Sequence, residues 1–455
     1  MGRKNCTTSA DKLDGDIVTT GRRPKLLFLA FPFPPAKTPG SVRAWNIVIH
    51  LTRLGWDVTV VVPDPVLLRN VEDPEKVIEL EHEGIKRIMT GHRWRCLAPN
   101  YLKCWDRNLG RLAGGLCRVI SRNLGIDKHI GWIRPAERAC SDLTADDVDL
   151  IFATGQPFSA FSLAKRLSER LSRPYVLDYR DPWTGNPHAD REHQLGAARR
   201  EASLLEDCAA VTIVSPSWGD ALNQRFGIGL KLHVVTNGYD VDEMAAVRSH
   251  DFGHCAFVYT GIFYPPKRTI SPFFAALKIF RESPRGNAKE WYFHYYGAND
   301  QHVREQADRF GLSDRIVLHG RVTREQALSA VKGANLAIVI TSVAEEETLE
   351  DKGIVTGKIF EAIGLATPVL LIASMGSDAI TITASTGLVK SFRGSELQKM
   401  APFLDDVVQG QVPKPMHIEG CSWAVISRKL DSLLRECMTF TSVTQHCDRS
   451  TDSGT

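Results

Sequence analysis

Short apolar runs of strand length alternate with amphipathic helical patterns along most of the chain. In the first half the strand-length runs are residues 25–31, 57–62, 150–154, 175–179 and 210–214. In the second half they are residues 257–259, 291–296, 316–318, 336–340 and 368–372. Such alternation is typical of βαβ units, in which helices cover both faces of a parallel sheet. The pattern therefore predicts an α/β fold of doubly wound sheets.

The series of strands is interrupted once, by a turn at residues 236–240 and a polar stretch that follows it. This break predicts two Rossmann-like domains of similar size. The predicted units are a tail at 1–23, a first domain at 24–240, a second domain at 241–420, a helix at 421–438 and a tail at 439–455. Ligands of such sheets bind outside the carboxyl ends of the strands, so the site should lie in a cleft between the two domains.

The composition excludes several classes of protein. Hydrophobic residues make up 43% and charged residues 24%, which argues against a disordered chain. Fifty-six Lys and Arg against 53 Asp and Glu give a net charge of +3, so no nucleic-acid partner is expected. The ten cysteines form no Cys-x-x-Cys pair, which favours reduced thiols and a cytoplasmic location. The first apolar run, at 26–31, is too short for a secretory signal.

Two common nucleotide-binding fingerprints are absent from the sequence. No Gly-x-Gly-x-x-Gly follows the first strand, and no Gly-x4-Gly-Lys-Ser/Thr occurs, so dinucleotide and P-loop sites are not expected. Asp-x-Asp strings at 147–149 and 240–242 could hold a divalent cation, but a capping or turn role is favoured for both. We therefore expect neither a metal nor a cofactor.

A small-residue turn before a helix marks one candidate site. Gly357 and Lys358 open this helix, and Glu361 follows three residues later on the same face. Free N–H groups at a helix N-terminus attract phosphate, and glycine lets the backbone approach it. Lys358 would add a charge for a diphosphate, and Glu361 could accept hydroxyl hydrogen bonds from a ribose. A surface Lys–Glu pair remains an equal alternative.

Two further clusters follow strands. In the second domain, Gly261 leads into Lys267 and Arg268, which would place cations at the same sheet edge as the helix above; a plain loop with solvated charges is the alternative. In the first domain, the acceptor-side candidates follow three different strands, and Asp181 could also cap a helix. These first-domain candidates are Gly40, Gln156, Arg180, Asp181 and Trp183.

Five short motifs occur in a family-specific order. They are Gly55-Trp-Asp-Val-Thr-Val, Val211-Thr-Ile-Val-Ser215-Pro, Val234-Val-Thr-Asn-Gly-Tyr-Asp240, Leu318-His-Gly-Arg-Val322 and Gly357-Lys-Ile-Phe-Glu361. With the Pro-Gly loop before the first helix and Gly261 with Lys267, this order resembles the family-four retaining glycosyltransferases of the GT-B fold. The resemblance covers about residues 25–435. It implies two Rossmann-like domains facing across a cleft and a last helix that crosses back to the first domain.

The resemblance also implies roles for donor-site residues. Glu361 matches the second glutamate of the Glu-x7-Glu motif, which is implied to bind the ribose, while Gly353 stands in place of the first glutamate. Lys267 matches the diphosphate lysine, and Val322 would lie near the nucleotide base. Ile262 replaces the usual arginine after the glycine. Gly40, Gly261, Arg268, Gly357 and Lys358 complete the predicted donor site.

The implied reaction transfers a sugar from a nucleotide-sugar donor to a hydroxyl acceptor with retention and without a metal. The donor phosphate itself is thought to take the acceptor's proton, and Glu361, Lys358 and Asp181 are the predicted catalytic residues. Arg180 falls where many members carry a histidine. The replaced glutamate leaves a second hypothesis open, a GT-B scaffold that binds the donor without turnover. An epimerase would need an acid/base cluster that is not evident.

A basic stretch predicts where the acceptor lies. Eleven Lys and Arg against two acids occur from Lys86 to Arg134. Within it, the stretch that begins at Lys103 and ends at Leu124 is predicted as a helix with an apolar face, an arginine face and tryptophans Trp94 and Trp132 on its flanks. Such a helix suits an anionic membrane surface and a lipid-linked acceptor. Packing of its apolar side on the sheet is an equal alternative.

Overall fold

The structure is a computed structural model that describes most of the chain. The described residues are 22–36, 39–68, 74–97, 102–103, 127–186, 195–345 and 348–449. Within them, thirteen strands form one sheet of seven strands and one of six, and all paired neighbours are parallel.

The first sheet is built from the first half of the chain. Its strands are β1 (Lys25–Leu29), β2 (Asp57–Pro63), β3 (Lys86–Thr90), β4 (Leu150–Gly155), β5 (Tyr175–Tyr179), β6 (Ala210–Ile213) and β7 (Leu232–Val234). They lie in the order β3-β2-β1-β4-β5-β6-β7. The strand order reverses between β1 and β4, and such a switch point is where open α/β sheets bind ligands.

The second sheet repeats this arrangement. Its strands are β8 (Cys255–Thr260), β9 (Trp291–Tyr296), β10 (Ile316–Leu318), β11 (Leu336–Ile340), β12 (Val369–Ile372) and β13 (Val389–Phe392). They lie in the order β10-β9-β8-β11-β12-β13, with the switch point between β8 and β11.

Helices connect the strands on both faces of each sheet. Those in the first half are α1 (Pro39–Arg53), α2 (Pro74–His82), α3 (Ile133–Ala139), α4 (Ser159–Leu171), α5 (Leu195–Asp207) and α6 (Pro216–Phe226). Those in the second half are α7 (Val241–Ala246), α8 (Ser271–Glu282), α9 (Pro284–Ala288), α10 (Asp300–Phe310), α11 (Arg324–Gly333), α12 (Leu349–Lys352), α13 (Gly357–Gly364), α14 (Asp378–Thr383), α15 (Leu397–Val408) and α16 (Trp423–Arg449).

Each sheet is buried between two apolar cores. Neighbouring strand residues point to opposite faces, so Leu26 and Leu27 of β1 belong to different clusters, as do Phe257 and Val258 of β8. Burial of both faces explains why the central strands are continuous apolar runs. The predicted doubly wound architecture is therefore confirmed.

The last helix crosses back to the first domain, as predicted. Trp423, Leu430 and Leu434 of α16 belong to an apolar cluster of the first sheet. The indole N–H of Trp56 also donates to Asp431 over 2.6 Å. These contacts attach α16 to the first domain.

Three strands were missed by the sequence pattern, and all three are edge strands. Each of the ten predicted runs overlaps a strand, whereas β3, β7 and β13 were not predicted. An edge strand is paired on one side only and keeps exposed positions, so β3 reads Lys-Arg-Ile-Met-Thr with one buried residue. Such a segment lacks the apolar run that marks a central strand.

The two Asp-x-Asp strings have capping roles, as predicted. Asp147 accepts hydrogen bonds from the backbone N–H of Thr144 over 2.9 Å and from its hydroxyl over 2.7 Å. Asp240 caps α7 by accepting from the N–H of Glu243 over 2.8 Å. The side chains of both residues are thereby used in local turns.

One flank of the predicted membrane-binding helix is not at the surface. Apart from Lys103, that helix lies outside the described residues. Trp94 is 53% exposed, but Trp132 is fully buried and donates its indole N–H to Thr90 over 2.6 Å. The prediction that both tryptophans flank a membrane surface is therefore wrong for Trp132, because its ring fills the first-domain core. No helix in the part of the chain described here is long and apolar enough to cross a bilayer.

Candidate active site between the two domains

A glycine after β8 brings a lysine against the backbone. Gly261 has a φ of +108°, and a Cβ atom there would lie 2.0 Å from Nζ of Lys358. Both the conformation and the space therefore require glycine. Lys358 is the second residue of α13, and its ammonium lies 5.0 Å from the ring centroid of Tyr259. The structure thus joins two of the predicted donor-site residues.

Arg268 and Lys358 lie near each other at this sheet edge, and neither forms an ion pair with a described residue. Burial and the Arg268 charge together lower the pKa of Lys358 to about 8, although the Glu361 charge acts in the opposite direction. Nε of Arg268 is buried without a hydrogen-bond partner, and its guanidinium lies 5.2 Å from the ring centroid of Tyr264. No carboxylate among the described residues forms an ion pair with Lys358 or Arg268. The pair is therefore suited to an anion from outside the chain.

Lys267, in contrast, already forms an ion pair with a carboxylate. Its Nζ lies 2.7 Å from Oδ1 of Asp351, a buried residue of α12. The other carboxylate oxygen of Asp351 accepts the hydroxyl of Thr348 over 2.9 Å. Asp351 was not among the predicted site residues. The structure therefore places Lys267 beside the site with its charge already neutralised.

Glu361 shares an arginine with a second acid. Its carboxylate forms an ion pair with Arg324, the first residue of α11. Nε of Arg324 also binds Oε1 of Glu243 at 2.8 Å. Val322, two residues before Arg324, is half-buried against the apolar cluster beside α13. Arg324 binds one oxygen of Glu361, and the other oxygen can accept a hydroxyl group.

The N-terminus of α13 is open. The Thr356 side chain does not cap it, and a Cβ atom added at Gly357 would meet nothing within 4 Å. Gly357 itself is exposed. In this first turn the N–H of Ile359 donates to the carbonyl of Thr356, while the N–H groups of Gly357 and Lys358 begin the helix at the same edge as the Lys358 side chain.

On the first-domain side, Arg180 links three loops. Its Nε donates to the carbonyl of Gly155 over 2.7 Å, and its two terminal nitrogens donate to the carbonyls of Gln156 and Gly40. A Cβ on Gly40 would lie 2.4 Å from the guanidinium. Gly40 and Arg180 therefore hold the loops after β1, β4 and β5 together. The side chain of Gln156 is exposed at this edge.

Asp181 faces the second domain. Burial raises the pKa of its carboxyl, and the nearby guanidinium groups of Arg180 and Arg268 act in the opposite direction. Asp181 therefore lies close enough to Arg268, a second-domain residue, for that charge to affect its pKa. Asp181 is half-buried.

Ring stacking and a hydrogen bond to a buried carboxylate hold the loop that carries Asp181. Trp183 stacks on Phe158 with ring centroids 4.9 Å apart and an interplanar angle of 4°. The backbone N–H of Thr184 donates to the buried carboxylate of Glu201 over 3.2 Å. Burial raises the pKa of Glu201 to about 7. Stacking uses one face of Trp183, so the predicted acceptor contact is restricted to the rest of the ring.

A buried ion pair lies under the cleft. Arg43 of α1 binds Asp178 of β5 through two contacts, Nη2 to Oδ1 at 2.7 Å and Nε to Oδ2 at 3.1 Å. The hydroxyls of Thr154 and Thr212 donate to the same carboxylate. Together these contacts hold the pKa of Asp178 below its usual range, although burial acts in the opposite direction. Arg43 also donates to the carbonyls of Val235 and Thr236 after β7, so the pair anchors the connection between the domains.

The first half of the chain matches a known family. Residues 40–243 match the model of Glycosyltransferase Family 4, which confirms the resemblance over those residues. A comparison with curated proteins gave no match.

Three solved structures are similar over almost the whole chain. Sucrose-phosphate synthase from Thermosynechococcus elongatus has a TM-score of 0.54 at 12% identity, covering 95% of this chain and 100% of that chain. Alr3699/HepE from Anabaena, in complex with UDP and glucose, has a TM-score of 0.51 at 16% identity, covering 94% and 100%. The lipopolysaccharide outer core galactosyltransferase WaaB in its apo form has a TM-score of 0.55 at 12% identity, covering 90% and 99%. At these identities the likeness shows a shared fold and confirms the predicted GT-B architecture.

Proposed function

We propose that the chain is a glycosyltransferase that uses a nucleotide-sugar donor. The observation that carries this proposal is the unpaired Arg268–Lys358 couple at the switch point of the second sheet. Two half-buried cations side by side repel each other, so the site favours an anion with more than one negative charge. A diphosphate fits this requirement, and the open space at Gly357 leaves room for it.

The proposed donor extends from the diphosphate towards α11. The free oxygen of Glu361 would accept a ribose hydroxyl, and Val322 would lie near the base. Arg324 fixes the orientation of Glu361 through their ion pair. A complex of the Anabaena relative contains UDP and glucose. We therefore choose UDP as the first probe for this chain.

In the proposed reaction, the residues act mainly by charge and position. Transfer places negative charge on the leaving diphosphate, and the cations of Arg268 and Lys358 would stabilise that charge. Asp181 would orient the acceptor hydroxyl from the opposite wall of the cleft. Retention of configuration, transfer of the proton to the donor phosphate and independence of metal ions remain part of the proposal. Addition of EDTA should leave turnover unchanged.

The acceptor would bind on the first-domain side. Gln156 and Trp183 flank Asp181 there, and their amide and ring surfaces suit a glycan. Arg180 would act by holding the three loops in place. A lipid-linked acceptor at the cytoplasmic face of a membrane is the extension of this proposal that depends on the basic stretch 103–124.

Donor binding should weaken as the pH rises. Lys358 has a pKa lowered to about 8, so its ammonium loses its proton between pH 7 and 9. The charged form attracts the diphosphate, and affinity should therefore fall through this range. Calorimetric titration with UDP at pH 7, 8 and 9 measures the effect. Lys358→Arg, which stays charged, should flatten the profile. Equal pH profiles for the parent and Lys358→Arg would contradict the role of Lys358.

A screen of nucleotides tests the proposal directly. UDP, GDP and ADP are titrated into the protein, and the corresponding nucleotide sugars are incubated with pooled glycan acceptors. We expect one nucleoside diphosphate to bind and its sugar derivative to release it during transfer. A protein that binds none of them is not a glycosyltransferase of this type.

One observation favours a second candidate, a GT-B scaffold that binds the donor without turnover. Gly353 replaces the first motif glutamate, and Glu361 is partly neutralised by Arg324. Binding of a nucleotide sugar without release of nucleoside diphosphate, with any acceptor pool, would support this candidate.

A further inference from the structure

The missing motif glutamate has a structural counterpart in the other domain. At Gly353, a Cβ atom would lie 2.1 Å from Cδ1 of the Trp218 indole and 2.5 Å from two further atoms of the ring. Trp218 belongs to α6 of the first domain and is 4% exposed. Any side chain at position 353 would therefore displace this ring, which occupies the space that a glutamate would need.

Hydrogen bonds join Trp218 and its neighbours in α6 to the second domain. The indole N–H of Trp218 donates to the carbonyl of Glu350 over 2.8 Å, and the hydroxyl of Ser215 donates to the carbonyl of Gly353 over 2.8 Å. Ser217 donates its N–H over 2.7 Å and its hydroxyl over 2.8 Å to Asp378. These bonds join the start of α6 to α12 and α14. We call Trp218, Gly353 and their hydrogen-bonded partners the interlock.

Apolar packing strengthens the interlock. Ile354, the residue after Gly353, is 3% exposed and belongs to a core cluster of the first domain. The second-domain segment 349–354 is thus buried partly in the other domain. Its position depends on the first domain as much as on the second sheet.

The same segment carries a residue of the donor side. Asp351 lies between the two carbonyls that the first domain holds, and its carboxylate binds Lys267 at 2.7 Å. Gly357 and Lys358 follow a few residues later at the start of α13. A shift of the segment would therefore move Asp351, Lys267 and the beginning of α13 together.

We propose that Trp218 is a positioning residue of the donor site, although it belongs to the first domain. The ring replaces the side chain missing at Gly353 and holds the segment 349–354 so that Lys358 reaches Gly261. This role rests on the proposed function, since it concerns the same donor site. It also makes glycine at 353 part of a working site and not a sign of lost activity.

A double-variant experiment tests the interlock. Gly353→Ala should weaken UDP binding at least fivefold, because the added methyl group displaces the ring. In a Trp218→Ala background the same substitution should change UDP binding less than twofold, because the ring is gone. Trp218→Phe keeps most of the ring but loses the bond to Glu350, and a two- to fivefold weakening is expected. Gly420→Ala is the matched control, because the space around Gly420 is open.

Each outcome of this experiment supports or overturns a stated proposal. UDP affinity is measured by calorimetry on variants with the circular dichroism spectrum of the parent, and Trp218→Phe alone suffices if Gly353→Ala does not fold. Equal effects of Gly353→Ala in both backgrounds, or parent-like binding by Trp218→Phe, would overturn the positioning role while leaving the glycosyltransferase proposal intact. A parent protein that binds no nucleoside diphosphate would remove both.

Discussion

Replacing Arg43 with methionine should destabilise the folded protein by about 3–5 kcal/mol. Arg43 is 4% exposed and Asp178 is fully buried, so the substitution leaves the carboxylate without its counter-charge. The methionine side chain offers no donor to the carbonyls of Val235 and Thr236. The two carbonyl oxygens left without a donor add to the loss of stability. This is the largest effect that we expect of a single substitution.

Urea unfolding followed by tryptophan fluorescence measures this loss. Arg53→Met on the same helix is the matched control, because its side chain is 41% exposed and its ion pair with Glu83 should contribute less than about 1 kcal/mol. Adding Asp178→Asn to Arg43→Met should recover part of the stability, since the amide carries no charge. An Arg43→Met variant as stable as Arg53→Met would show that the buried pair does not support the fold.

Removing the two unpaired cations together should almost abolish donor binding. Hydrogen bonds to charged groups contribute about 1.5–3 kcal/mol each, so Arg268→Gln and Lys358→Gln should each weaken UDP binding by about 10- to 150-fold. Lys267→Gln should have a smaller effect, because Asp351 already neutralises that lysine. Calorimetric titration with UDP at pH 7 provides the comparison.

Lys289→Gln is the control for this series, since Lys289 is an exposed lysine of the same domain. It should bind UDP like the parent protein. Parent-like affinity in the Arg268→Gln, Lys358→Gln double variant would contradict the proposed site, even if UDP binds elsewhere.

The fold could be predicted from the sequence because its central strands are continuous apolar runs. β1, β4 and β9 are buried on both faces, and that burial requires the runs that mark them. Three of the four edge strands, β3, β7 and β13, were not predicted, because pairing on one side allows exposed positions that interrupt an apolar run; β10 is the edge strand that was predicted. The end of α1 was signalled by Gly55, whose φ of +95° favours glycine.

Individual donor residues could be predicted, but their pairings could not. Sequence order placed Gly261 and Lys358 at one sheet edge, yet Asp351 and Arg324 became visible only as partners of Lys267 and Glu361. Both partners lie tens of residues away in sequence, so no local spacing links them. Asp178 carried one signal, a charged residue inside an otherwise apolar strand.

Trp218 shows why a departure from a motif is hard to interpret by sequence alone. The compensating residue lies 135 positions before Gly353 and in the other domain. Its neighbours Ser215 and Pro216 fit the family pattern, so nothing local indicates a contact across the cleft. The relationship between the two residues is identified by the lack of space for a Cβ atom at Gly353 beside the Trp218 ring.

A crystal structure of the protein with UDP tests the central claim most directly. We predict that the diphosphate lies within hydrogen-bond distance of both Arg268 and Lys358, with Lys267 still paired to Asp351. Phosphates bound away from both Arg268 and Lys358 would contradict the proposed donor site.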